Sequence, residues 1–163
     1  MNPIDNGITA RDVVLRLGAA MLIGAIIGIN RDLHEKPAGL RTLGLVSTGA
    51  ALLTLVSLAF AAMQRAADPS ALSRVAQGII TGIGFLGAGV ILRGEREQSI
   101  QGLTTAASIW FAACLGIVCG AGQWTIALAG IIVAMLLLVI GGPIEQAIHR
   151  RWKRGVRSEA RSR

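Results

Sequence analysis

Five apolar blocks, separated by short polar segments, constrain this chain more than any other feature. They cover approximately residues 13–29, 40–63, 74–92, 103–118 and 124–140. At about 1.5 Å per residue, each block crosses a hydrocarbon layer of about 30 Å or nearly does so. Lipid offers no partner for backbone N–H and C=O groups, so each block must close its own hydrogen bonds as a helix. A membrane barrel would instead alternate polar and apolar residues over about ten positions per strand, and no such alternation occurs. The expected fold class is therefore an all-α membrane protein, a bundle of about five transmembrane helices. The expected organisation is a polar N-terminal segment (1–12), a transmembrane helical domain (13–142) and a basic tail (143–163). Asp5 and Asp12 stand where a signal peptide would carry basic residues, so the first block is expected to remain as an anchor.

The formal net charge is +7, which invites a nucleic-acid reading. The distribution of charge argues against it. The excess lies directly after the last block, in Arg150, Arg151, Lys153, Arg154, Arg157, Arg161 and Arg163. A cluster of that kind marks a cytoplasmic flank, so the C-terminus is expected inside and the N-terminus outside. Arg31, Lys36, Arg93 and Arg96 then fall in cytoplasmic loops. Gly141-Gly142-Pro143 is expected to end or kink the last helix, with disorder beyond Trp152. The tail can serve as a topology determinant or attract anionic lipid. Cys114 and Cys119 point in different directions on one apolar helix and read as small packing residues.

Several blocks carry small or polar faces. Ala20, Gly24 and Gly28 form a small-xxx-small stripe in the first block, whose Arg16 is expected to snorkel to the interface. In the third block Arg74, Gln77, Gly78, Thr81, Gly82, Phe85, Ala88 and Gly89 fall on one helical stripe, which is expected to face protein. Gly24, Gly28, Gly78, Gly82, Gly87 and Gly89 are accordingly expected at close helix contacts. Gly82, Gly84 and Gly87 also spell G-x-G-x-x-G, but a dinucleotide fingerprint needs a strand before it. A helix broken there to expose carbonyls is the sharper alternative to packing. A shift of about 63 residues superposes Gly24-Ala25 on Gly87-Ala88, Gly39-Leu40 on Gly102-Leu103, and Thr42 on Thr105. Duplication of a two-helix unit and chance recurrence of common glycines both account for this. If duplication holds, two related hairpins face each other in the core.

The segments A-G-L-R-T (38–42), G-I-G-F-L-G-A-G-V-I (82–91) and G-L-T-T-A-A (102–107) resemble signature stretches of the MgtC/SapB family of bacterial membrane proteins. The likeness extends from about residue 15 to 122. It implies a multi-pass protein of the bacterial inner membrane, linked to magnesium homeostasis. For some members it implies virulence or modulation of the membrane ATP synthase. Two departures stand out. Well-known members carry a soluble domain after the last span, and many have Glu-Arg where this chain has Asn30-Arg31.

The residues themselves argue against a simple Mg²⁺ pore. Mg²⁺ holds its waters and is met by carboxylates, yet Asp12, Asp32, Glu35, Asp68, Glu95, Glu97 and Glu145 all lie in loops or near block ends. The cations Arg16, Arg41 and Arg74 are nearest the membrane. The polar candidates for an intramembrane site are Asn30, Arg31, Arg41, Thr42, Arg74, Gln77, Thr81 and Thr105. They can bind an anion or lipid head group, or simply hydrogen-bond between helices. Arg41 and Arg74 are expected at opposite faces. No catalytic triad, paired carboxylate or metal-ligand grouping is evident. His34 and His149 are isolated. A non-enzymatic membrane factor without evident cofactor is the expected function. The alternatives are a small ion or solute transporter, and a regulator bound to another membrane complex such as the ATP synthase. The lipid bilayer, a possible second copy and another membrane protein are the expected partners, and nucleic acid is not.

Overall fold

The computed structural model describes residues 8–63, 69–91 and 102–161, with side chains over 8–62, 70–91 and 102–142. All regular structure in the described residues is helical: α1 (Ala10–Leu33), α2 (Leu40–Met63), α3 (Pro69–Ile91), α4 (Leu103–Gly120) and α5 (Trp124–Arg161). Each is long and apolar enough to cross a membrane.

Local chemistry sets the ends. α1 starts before its apolar block because Thr9 and Asp12 form a capping box. The Asp12 N–H donates to Thr9 Oγ1 at 3.2 Å, and the Thr9 N–H donates to Asp12 Oδ2 at 3.0 Å. α1 also continues past Ile29, so Asn30, Arg31 and Asp32 are helical rather than the start of a loop. Pro69 opens α3, where its missing N–H costs nothing. α4 follows Gly102, whose φ of 91° suits glycine. A Cβ at Gly102 would also lie 2.9 Å from the Val90 carbonyl oxygen.

The core belongs to α1, α2 and α4. Half of the α4 span is buried inside the protein, against 6% of α3 and 11% of α5. Glycines let the three backbones touch. A Cβ at Gly24 would stand 2.4 Å from the Leu43 carbonyl oxygen, and one at Gly116 would stand 2.1 Å from that of Ser47. Gly120 approaches Ala51 in the same way. Ser47 is fully buried between these contacts, and its hydroxyl has no hydrogen-bond partner. Ile27, Leu43, Ile109, Ala112 and Leu115 fill the adjoining layer. α3 packs on this unit through Val75, Ile79 and Ile83, and α5 through Ala127 and Ala134.

Two expectations need correction. Gly78, Gly82 and Gly89 make no close helix contact in the chain, since a Cβ at each would meet open space. Gly87 makes only an ordinary contact, 3.6 Å to Ala106 Cβ. The reason is rotational: α3 turns its Ile79 and Ile83 edge inward and leaves the opposite stripe outside. The two hairpins do face each other in the core, since α4 packs against α3 as well as against α1 and α2, although α4 lies deeper than α3. Finally, of the end or kink expected at Gly141-Gly142-Pro143 the end does not occur, and the tail is not disordered beyond Trp152: α5 runs to Arg161. Proline removes one ladder bond and crowds the carbonyl four residues back, but Glu145, Gln146, Ala147 and the arginines that follow are good helix formers.

Candidate functional site

The polar centre of the molecule lies where α1 ends, α2 begins and α4 enters the bundle. Arg31, in the last turn of α1, is 3% exposed. Its Nε and Nη2 both donate to the Pro37 carbonyl oxygen, each at 3.2 Å. Nη1 donates to Ser108 Oγ at 3.1 Å, and Nη2 also donates to Thr105 Oγ1. The Ser108 hydroxyl donates a hydrogen bond to the Thr104 carbonyl oxygen at 2.8 Å, which leaves its lone pairs for the guanidinium. Every acceptor around Arg31 is neutral, and among the described residues no carboxylate forms an ion pair with it.

The neighbouring residue does a separate job. Asp32 Oδ2 accepts from the Leu40 N–H at 2.9 Å and so caps α2 from across the turn. This needs glycine at position 39, where a Cβ would fall 1.6 Å from Asp32 Oδ1. Gly28 completes the junction, because a Cβ there would lie 2.4 Å from Leu40 Cα. The intervening turn is held under strain: Glu35 and Ala38 take φ values of 53° and 60°, the left-handed region that L side chains disfavour. His34 Nδ1 sits 2.7 Å from the Asn30 carbonyl oxygen.

A second arginine of α1 holds the other end of α4. Arg16 Nη1 donates to the Gly120 carbonyl oxygen at 2.9 Å. The guanidinium lies against Gly122, where a Cβ would stand 3.0 Å from Arg16 Cζ. Arg16 thus satisfies an open carbonyl at the α4 C-terminus, where a cation also suits the helix dipole. It was expected only to snorkel. At the opposite end, Arg31 faces the first turns of α4, where the dipole is positive. Arg31 also closes the last turn of α1, where the dipole is negative, and the Asp32 carboxylate adjoins it, so the junction holds charge of both signs.

The candidates read from sequence divide into two sets. Arg31 and Thr105 are brought together and buried. Asn30 is half-buried beside them, whereas Arg41 and Thr42 are exposed on the first turn of α2. Arg74, Gln77 and Thr81 are exposed on α3. Arg74 donates to Ser70 Oγ of its own helix. The twin positions Thr42 and Thr105 thus have different surroundings. Asp32, Ser108 and Gly39 were not among the candidates. Ser108 could have been found from its i, i+3 spacing to Thr105, which puts both hydroxyls on one helix face.

The profile of the MgtC family matches residues 17–147, a stretch that contains all of this junction. The chain belongs to the MgtC family. It is 39% identical to Protein SrpB of Synechococcus elongatus over 155 residues, covering 90% of this chain and 85% of that protein. It is 42% identical to Protein MgtC of Salmonella typhimurium over 137 residues, covering 84% of this chain and 55% of that one. It is 42% identical to Protein SapB of Bacillus subtilis over 130 residues, covering 77% and 54%. The chain thus spans little more than half the length of the MgtC and SapB relatives. No solved structure matches it. Family membership and five apolar helices make this a multi-pass membrane protein.

Proposed function

We propose that this protein is a non-enzymatic factor of the bacterial inner membrane that serves magnesium homeostasis by acting on another membrane component, without conducting the ion itself. Similarity to proteins named MgtC supports the link to magnesium. The distribution of Lys and Arg supports a cytoplasmic C-terminus and a cytoplasmic Arg31 junction.

One observation carries the non-conducting part. α1, α2 and α4 meet backbone to backbone at Gly24, Gly116 and Gly120, and the one buried charge among the described residues is the Arg31 cation. Mg²⁺ sheds water reluctantly and is coordinated by carboxylates. A path through this unit would have to part closely packed helices and pass a guanidinium. Among the described residues no group of three or more His, Cys, Asp or Glu could hold a metal ion.

The test is reconstitution. Purified protein in vesicles loaded with a Mg²⁺-sensitive dye is expected to leave the influx rate at that of empty vesicles. The same gene should restore growth at low Mg²⁺ to a strain lacking its own copy. Saturable Mg²⁺ influx, abolished by a substitution in the α1–α2–α4 unit, would overturn the reading in favour of a transporter.

A further inference from the structure

The outward face of α3 presents a physical problem that the rest of the chain does not solve. Arg74, Gln77, Gly78, Thr81, Gly82, Phe85, Ala88 and Gly89 are all exposed, with Phe85 at 83%. On the flank of a membrane span, exposure means contact with hydrocarbon. Gln77 and Thr81 lie about 12 and 18 Å along a helix of 23 residues, well inside the span. Neither side chain has a hydrogen-bond partner among the described residues. An amide and a hydroxyl left unpaired in lipid are costly, and such groups mark helix–helix contacts.

The residues beside them allow close approach. Gly78 and Gly82 form a GxxxG pair on the exposed face, and a Cβ at either would meet nothing within 4 Å. We propose that this face is the contact between two copies of the chain, packed in parallel about a two-fold axis near Gly78 and Gly82, with the Gln77 amides hydrogen-bonded to each other.

Three features favour a second copy over an unrelated helix. No residue from 75 to 91 is ionisable, so beyond Arg74, which lies in the first turns of α3 and donates to Ser70 Oγ of its own helix, the face calls for no charged partner. The Gln77 amide carries both a donor and an acceptor, and the Thr81 hydroxyl does too, so each is its own complement. A second copy in the same orientation also presents Gln77 at the same depth without further design. This inference does not depend on the functional reading above, since a dimer can be regulatory or conducting.

The experiment is cysteine crosslinking in native membranes. In a Cys114→Ala, Cys119→Ala background, single cysteines are placed at Thr81 and Phe85 on α3 and at Leu128 and Leu137 on α5. Oxidation is expected to give a band of twice the chain mass from the α3 positions and not from α5. Adding Gly82→Ile should reduce that band at least fivefold while leaving the helical circular-dichroism signal unchanged, because the side chain enters open space in the monomer. Gln77→Leu should weaken it, and Gln77→Asn should retain more of it. Photobleaching of fluorescently tagged protein with both native cysteines, at low density in liposomes, should show two steps that Gly82→Ile converts to one. Crosslinks from α5 alone, a crosslinked band of another mass, single-step bleaching of the unmutated chain, or indifference to Gly82→Ile would each overturn the proposal.

Discussion

Arg31 and Ser108 are 77 residues apart in the chain, yet Arg31 Nη1 donates to Ser108 Oγ at 3.1 Å in a buried contact. This bond, with those to Thr105 and Pro37, ties the first hairpin to α4. Ser108→Ala should leave a buried guanidinium N–H unpaired and cost about 1–3 kcal/mol. Arg31→Lys should cost at least as much, because an ammonium cannot hold the Pro37 carbonyl with two donors while reaching both hydroxyls. Thermal unfolding in detergent checks both, and a Ser108→Ala protein as stable as the parent would remove Ser108 from the tie.

Arg16 should act as a brace for the far end of α4. Arg16→Ala opens the Gly120 carbonyl and removes a cation from the helix C-terminus. The expected loss is about 1 kcal/mol, with faster hydrogen exchange confined to the last turn of α4. Uniform exchange across the bundle would contradict this assignment.

The glycines should divide sharply under substitution to alanine. At Gly116 and Gly24 the added methyl meets backbone at 2.1 and 2.4 Å, so helices must separate. Overpacking of that kind costs about 1–3 kcal/mol or more. Gly18→Ala and Gly49→Ala meet open space and should be neutral or slightly stabilising. Denaturation of all four variants side by side gives the comparison.

Ala38→Gly should stabilise the first hairpin, since Ala38 holds a φ of 60°. Relief of left-handed strain, less the extra entropy of an unfolded glycine, should raise stability by about 0.5–1 kcal/mol. Gly39→Ala should do the reverse by driving Asp32 off the Leu40 N–H, with loss of about 0.5–2 kcal/mol from the lost α2 cap.

The chain displays its membrane helices openly because lipid imposes one requirement on every span: internal hydrogen bonding and an apolar surface. That requirement depends only on local composition. The starts of α2, α4 and α5 at Leu40, Leu103 and Trp124 follow from it, and Pro69 marks α3 as directly. The start of α1 was harder to read, because the Thr9–Asp12 capping box works on polar residues outside the apolar block. Thr105 and Arg31 could be named as polar residues needing a partner. That they partner each other could not be read, since nothing in residues 31 and 105 encodes which helices become neighbours.

The glycine-rich α3 illustrates the same limit. A stripe of Gln77, Gly78, Thr81 and Gly82 says that some close, partly polar contact is wanted. It does not say whether the contact lies inside the chain. Composition alone determined a five-helix membrane protein with a basic C-terminal flank and no carboxylate in the middle of its spans. The tertiary structure decided that α1, α2 and α4 form the welded unit, that Arg31 rather than Arg41 is buried, and that the α3 stripe faces outward. Helix rotation and neighbour choice arise from the summed fit of distant surfaces, such as Gly24 on Leu43 and Gly116 on Ser47. Only the folded chain brings those surfaces together.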